Sequence, residues 1–157
     1  MKNRPLVVFL LDAQRYCLSL PKVDRIVRVV EISPLPGAPE IVLGVINVRG
    51  QIIPVVDFRK RLGLGHRDVQ LNDCLIIART TRRLVALLVD AVWGVIERSE
   101  EELTRSDSIL PDLKYIEGIA KLDDGLVFVH DLDRFLSLDE DRQLERAMAP
   151  AEPRSQG

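Results

Sequence analysis

His130 and Asp131 stand side by side in "VFVHDLDRF", the one place where an imidazole and a carboxylate are neighbours in the chain. Such a pair can exchange protons with a substrate when a third group orients the imidazole. No such group is apparent, and the other histidine, His66, lies in a separate loop, "GLGHRD". Cys17 and Cys74 both fall in apolar, strand-like runs and read as buried free thiols, not as a disulfide or a metal site. No Cys/His cluster has metal-ligand spacing, and "GLG" at 63–65 is too short for a phosphate loop. Gly63 reads instead as a helix C-cap. The sequence therefore gives no catalytic residue, no metal site and no cofactor.

A different chemistry, that of recognition, is offered by "GVINVRGQIIPVVDF", residues 44–58. The pattern is a β-hairpin, with Gly50-Gln51 expected at the centre of a type II′ turn. That turn sets Arg49 against Ile52, Val48 against Ile53, Asn47 against Pro54 and Ile46 against Val55. Ile46, Val48, Ile53 and Val55 then share a face that reads as core. Val45, Asn47, Arg49, Ile52, Pro54 and Val56 share the other. Pro54 cannot donate to a ladder and belongs at an edge or bulge. The second face fits either an ordinary solvated surface or an apolar contact surface anchored by Arg49.

The elements that must hold this hairpin follow from the rest of the chain. Its 157 residues are 46% hydrophobic and 29% charged, enough for a real core in one domain or two small lobes. The net charge is −2 and only 4% of residues are aromatic, so the basic stripe of a nucleic-acid binder is missing. The apolar run near the N-terminus stops at Asp12, too short for a signal peptide, and no stretch is long enough to span a membrane. A cytoplasmic protein without direct membrane insertion is the expectation.

The chain also repeats. Residues 44–62, "GVINVRGQIIPVVDFRKRL", align without gaps to 118–136, "GIAKLDDGLVFVHDLDRFL", an offset of 74 residues (44 to 118). Each copy is a hairpin running into an aspartate, Asp57 or Asp131, which reads as the N-cap of a short helix. The partner of His130 in the other copy is Val56, which points to a structural or surface role for the imidazole. Upstream of each copy lies another hairpin, "LVVFLLDAQRYCLSL" or "CLIIARTTRRLVALLVD", and a linking strand near 26–32 or 92–98. Two five-strand units emerge, of a size that closes into small barrels. "SLDEDRQLERAM" opens with a capping box, Ser137 and Glu140, and reads as a helix packed on the barrels through Leu144 and Met148. The last residues, "APAEPRSQG", read as a disordered tail.

At this point "GVINVRGQIIPVVDFRKRLGL" closely resembles the signature hairpin of the CheW-like chemotaxis coupling proteins. The resemblance continues through "FLLDAQRYCLSLPKVDRIVRVVEI", "ALLVDAVWGVIERSEEEL" and "IEGIAKLDDGLVFVHDLDRFLS", covering about Pro5 to Ser137. It implies a mainly β fold of two intertwined, five-stranded SH3-like barrels with short helices. The domain would occupy residues 1–137, with repeat halves at about 5–64 and 72–137, and the C-terminal helix and tail would fill 138–157. It implies an adaptor without catalysis of its own that joins the cytoplasmic tip of a chemoreceptor, a methyl-accepting chemotaxis protein, to the regulatory domain of the histidine kinase CheA. Other CheW-like domains are further candidate partners in such arrays.

Residue by residue, the resemblance places receptor contacts at Val23, Ile26, Asn47, Arg49 and Val95, with Arg25 and Gly44 beside them. Apolar walls with one guanidinium suit an apolar helical hairpin bearing acidic side chains. Kinase contacts are expected at Ile52 and Pro54 in the first barrel and at Ile109 and Leu110 on the long acidic loop of the second. Two alternatives stand beside this reading. One is a CheW-like scaffold of a non-flagellar chemosensory pathway. The other, of a different class, is a small-barrel nucleic-acid-binding protein, against which the acidic balance counts.

Overall fold

Long apolar runs without polar alternation, such as "LVVFLL", "CLIIA" and "LVALLV", mark strands that bury both faces. Their placement explains the whole architecture. The computed structural model describes residues 3–105 and 116–149. Among these the chain forms β1 (Asn3–Leu11), β2 (Gln14–Ser19), β3 (Val23–Arg28), β4 (Val42–Val48), β5 (Gln51–Val56) and helix α1 (Phe58–Arg61). There follow β6 (Cys74–Arg79), β7 (Leu84–Val89), β8 (Ala91–Ser99), β9 (Thr104–Arg105), β10 (Ile116–Leu122), β11 (Gly125–His130) and a C-terminal helix, α2 (Leu138–Met148). The expected hairpins β1–β2, β4–β5, β6–β7 and β10–β11 all form. Ile109, Leu110 and the tail from residue 150 lie outside the described residues.

The strands make two barrel-like sheets, one of five strands in the order β3-β6-β7-β5-β4 and one of six in the order β8-β1-β2-β11-β10-β9. Each sheet draws on both halves of the repeat. This is the intertwining that the family resemblance implies, though the repeat alone suggests one unit per half: the first hairpin of each half, β1–β2 or β6–β7, is given to the other half's sheet. The exchange obeys the internal symmetry, since β7 joins β5 in parallel and β2 joins β11 in parallel. The repeat is visible in detail. A bulge falls between Val42 and Gly44 in one copy and between Ile116 and Gly118 in the other. Asp57 (φ −96°, ψ 96°) and Asp131 (φ −92°, ψ 99°) have nearly the same backbone, and each accepts a bond from a backbone N–H just beyond, of Lys60 or Asp133.

Three buried clusters result. Ile46, Ile53, Val55, Leu75, Ile77 and Ala86 fill the five-stranded barrel. Leu6, Val8, Cys17, Ala120, Val127 and Val129 fill the six-stranded one. The third lies between the sheets, where Phe9, Leu18, Val56, Phe58, Ile76, Leu87 and Phe135 meet. The exchanged strands supply both kinds of core: Val8 and Cys17 face inward while Phe9 and Leu18 face the shared layer. Helix α2 completes that layer with Leu144, fully buried, and Met148, half-buried. Its capping box forms as expected, with Glu140 N–H donating to Ser137 Oγ and Ser137 N–H to Glu140 Oε1. Buried Asp141 accepts from Arg82 and Arg83 at the β6–β7 turn (2.9 and 3.1 Å), so the helix straps the end of one sheet to the other.

The five-stranded barrel closes through a single glycine. Beyond β3, at one edge, Ser33 exchanges two backbone hydrogen bonds with Val45 of β4 at the opposite edge, at 2.8 and 2.9 Å. A Cβ on Gly44 would sit 2.3 Å from the Ser33 carbonyl oxygen. Backbone cannot yield to such a contact as a flexible side chain would. Gly44→Ala is therefore expected to lower unfolding free energy by roughly 1–3 kcal/mol, as overpacking does. Gly65→Ala, whose added methyl would meet open space, should stay within about 0.5 kcal/mol. Denaturant melts of the two variants check this.

Candidate partner-binding surface

The β4–β5 hairpin differs from expectation by one step. Val48 pairs with Gln51, Asn47 with Ile52, Ile46 with Ile53 and Val45 with Pro54. The turn centres are Arg49 (φ 53°) and Gly50 (φ 84°), both in the left-handed region, as a type I′ turn requires. The sum of paired residue numbers changes by two, so every side chain keeps the face assigned to it. Ile46, Ile53 and Val55 are buried in the barrel, with Val48 half-buried beside them.

Asn47 owes its place partly to this turn. Its Oδ1 accepts a hydrogen bond from the Gly50 N–H at 2.8 Å. Arg49 has no such explanation. A left-handed conformation costs a residue with a Cβ about 1–2 kcal/mol, which is why Asn or Gly normally fills the first position. Its exposed guanidinium has no hydrogen bond or ion pair among the described residues. The turn holds a charged fork out into solvent at a cost to the backbone.

The apolar residues expected around it lie at the rim of the shared layer. Ile26, on edge strand β3, pairs with buried Ile76, which pairs with buried Leu87. Val95, on edge strand β8, pairs with buried Val7, which pairs with buried Leu18. Each is the open end of a buried row, and they remain 42% and 56% exposed. Val23 is half-buried against the shared core. Arg25, half-buried, donates from Nε to the neighbouring Asp24 at 3.1 Å. Gly44 is buried, and its role is the barrel closure already described.

Of the residues expected to meet the kinase, Ile52 is 50% exposed. Pro54 is buried, which corrects its assignment to an open outer face. It stands on the side of the sheet occupied by Val56 and Val85 of the shared core. Its missing N–H is tolerated because the parallel ladder to β7 starts one residue later, at Val55. The equivalent ladder of β11 starts two pairs earlier, at Val127 opposite Arg15, and includes Phe128, the counterpart of Pro54, opposite Tyr16.

Neither sequence pattern nor spacing discloses the charged cluster that follows β5. Arg59 of α1, 8% exposed, donates to Asp12 (2.7 Å) and to both oxygens of Asp90 (2.8 and 2.7 Å). Arg67 joins Asp90 (2.9 Å) to the fully buried Asp73 (3.0 Å). The only signal was that Asp12 and Asp90 each end an apolar run, in "FLLDA" and "LLVDA". Exposed Trp93 and the apolar trio Val30, Val69 and Leu71 were likewise not singled out.

His130 is core, as its alignment with buried Val56 suggests. Its ring packs edge-on to Phe58 (4.2 Å between centroids) and beside Phe135 (5.4 Å). Neither nitrogen has a hydrogen-bond partner among the described residues. Burial depresses its pKa from 6.5 to about 3. Cys17 is buried, with its thiol pushed up to about 12 by the same desolvation, and Cys74 is half-buried. Among the described residues no group of three His, Cys, Asp or Glu could hold a metal, and no helix is long and apolar enough to cross a membrane.

Comparison with known proteins identifies the family of the chain. The model of the CheW-like domain matches residues 5–140. This chain belongs to the CheW-like family. It is 31% identical over 140 residues to the chemotaxis protein CheW of Rhizobium meliloti, covering 88% of this chain and 90% of that one. It is 32% identical over 136 residues to the chemotaxis protein CheW of Thermotoga maritima, covering 87% and 89%. The crystal structure of the scaffolding protein TtCheW from Thermoanaerobacter tengcongensis superposes with a TM-score of 0.80 at 34% identity, covering 88% of this chain and 96% of that one. The CheW-like chain is accordingly a chemotaxis coupling adaptor, and the nucleic-acid-binding alternative is not favoured.

The unpartnered imidazole yields a test of the core. Its folded pKa lies below its unfolded value, so the unfolded chain alone takes up a proton between pH 6.5 and about 3. Stability from this group is full above pH 6.5 and is lost as pH falls. His130→Val, copying Val56, should stabilise the protein by roughly 1–2 kcal/mol at pH 7, since two unmet nitrogens disappear. That advantage should widen by up to about 1.4 kcal/mol per pH unit on acidification toward pH 4. Urea melts of both proteins across this range measure the difference.

Proposed function

We propose that the chain is a noncatalytic cytoplasmic adaptor that docks the helical tip of a chemoreceptor on its β3, β4–β5 and β8 surface and the regulatory domain of the histidine kinase CheA elsewhere on its barrels. The observation that carries the receptor contact is Arg49: an unpaired, exposed guanidinium at a turn position whose backbone geometry favours another residue. Strain kept at one exposed side chain points to a use for that side chain. Its chemistry selects a carboxylate-bearing partner, and the half-open rims at Ile26 and Val95 select apolar helix faces beside it. Val23 shares a face of β3 with Ile26, Asn47 fixes the turn, and Arg25 and Gly44 flank the contact. Ile52, on the outer face of the first barrel, is the described residue assigned to the kinase; Ile109 and Leu110 are assigned to the same class of contact on the second. In arrays of many receptors, kinases and further CheW-like domains, such contacts add by multivalency.

Arg49 provides the experiment. Arg49→Asn places a residue at home in the left-handed region, so the melting temperature should hold or rise. Affinity for a soluble receptor-tip fragment, measured by titration calorimetry, should nonetheless fall at least tenfold, about 1.4 kcal/mol. Arg49→Glu should remove binding altogether. Folded Arg49→Asn protein that binds the fragment with unaltered affinity would overturn the receptor assignment. In parallel, Ile52→Asp should abolish binding of the isolated kinase regulatory domain while leaving receptor binding in place.

A further inference from the structure

The receptor surface proposed above is built from both sheets: Arg49 and Asn47 stand on the β4–β5 hairpin of the five-stranded sheet, Val95 on β8 of the six-stranded one. Something must fix one against the other. Arg59 follows β5, the strand that starts at the Arg49 turn, and Asp90 immediately precedes β8, the strand that carries Val95. The Arg59 guanidinium spans Asp90, at 2.7 and 2.8 Å, and Asp12 in the β1–β2 turn of the six-stranded sheet, at 2.7 Å. Asp90 is itself pinned. It also accepts from the Asp12 N–H (2.9 Å) and from Arg67 (2.9 Å), and its own N–H donates to Leu10 of β1 (3.0 Å).

The repeat supplies a counterpart with the sign of charge reversed. Asp133 is the residue that the 74-residue offset equates with Arg59. It accepts from the Thr81 N–H in the β6–β7 turn (2.9 Å) and pairs with Lys22, in the link between β2 and β3. Each clasp thus runs from the segment behind one sheet's last hairpin to the tip of the hairpin that the same half gave to the other sheet. A buried, forked ion pair of this kind contributes little net stability over an apolar packing but fixes geometry, because a guanidinium bound at both ends admits few arrangements.

We infer that Arg59 is a positioning residue for receptor binding: it holds the Arg49 hairpin and the Val95 strand at the relative angle at which one helical partner meets both. The inference rests on the receptor reading, and the test separates the two. Arg59→Met keeps the bulk and leaves Asp90 paired with Arg67, so the fold should survive. Asp12→Asn, at a half-exposed turn residue that tolerates positive φ, removes only the charge of the anchor on the other sheet. In a Cys74→Ala background, spin labels at Gln51→Cys and Glu97→Cys report the inter-sheet distance by double electron–electron resonance. Affinity for the receptor-tip fragment is measured on the unlabelled full chain.

Arg59→Met should broaden or shift the distance distribution and weaken fragment binding five- to twentyfold, and Asp12→Asn should do both to a smaller degree. Arg49→Glu should lose binding with the distance distribution intact, which marks a contact residue and not a positioning one. Unchanged distances in both clasp variants overturn the inference, whatever happens to affinity. Altered distances with full affinity overturn it too. If the wild-type chain fails to bind the fragment at all, the receptor reading falls and the role given to Arg59 falls with it, and that outcome is recognised before any clasp variant is examined.

Discussion

The layer between the two sheets is the constraint on which everything else in this protein depends. A small barrel can be closed by five strands, but its outer surface is then free to be polar. Here the outer faces of β1, β2, β6, β7 and β11 are apolar because they are buried against the other barrel. Two short barrels thereby gain a third core as substantial as their own, with Phe9, Phe58, Phe135, Ile76 and Leu87 in it. The proposed binding surface is a by-product of that layer. Where its rows reach the edge strands they cannot be covered from within, and Ile26 and Val95 are what is left over. An adaptor needs exposed apolar side chains on rigid backbone, and the ends of a buried row supply them without weakening the interior.

Several features could be read directly from residues because local chemistry dictates them. Asp57, Asp131 and the Ser137–Glu140 box are caps whose side chains bond within a few residues of themselves. Gly63, at φ 73°, ends α1 for the same local reason. The equivalence of His130 with Val56 followed from the repeat. The exchange of hairpins was harder to see. Self-alignment says which strands are alike, yet it is silent on whether β7 should lie beside its own half's β11 or beside β5. The turn at Arg49-Gly50 was misplaced because an arginine in the left-handed region violates the preference from which turns are read. Pro54 was placed outside because proline in a strand usually signals an edge, and here a short ladder to β7 supplies the tolerance instead. The Arg59 cluster joins residues far apart in sequence, and no spacing rule reaches across that distance.

Most of these misses share a cause. All but Arg49 involve a residue serving a neighbour remote in sequence, and two of them, Arg49 and Arg59, are charged residues where stability alone would accept something cheaper. His130 belongs with them as a local inconsistency, a polar ring among Phe58, Phe135 and the shared core with nothing to bond. The structure supplies no chemical use for that ring. A sequence consistent at every level would show neither the turn strain nor the orphaned nitrogens. The departures fall at the proposed contact, at the clasp between sheets and at one core position, and only the first two have a proposed use.

The exchanged hairpins also govern how the chain comes into being. β1 has no sheet until β8 exists, because Val7 pairs with Val95, and β2 has no parallel neighbour until Val129 arrives to meet Cys17. The first nineteen residues can form a hairpin early, but it stays apolar on both faces until the chain is almost complete. Contacts this distant in sequence make folding slow and leave sticky strand edges exposed during synthesis. On the ribosome, therefore, the β1–β2 hairpin is a client in waiting: the five-stranded barrel has all its strands once β7 is made, but the six-stranded one that takes up this hairpin needs β8 to β11. The pseudo-symmetry that looks like two domains in the sequence is, for the growing chain, a staggered closure in which the first hairpin made is among the last to be covered.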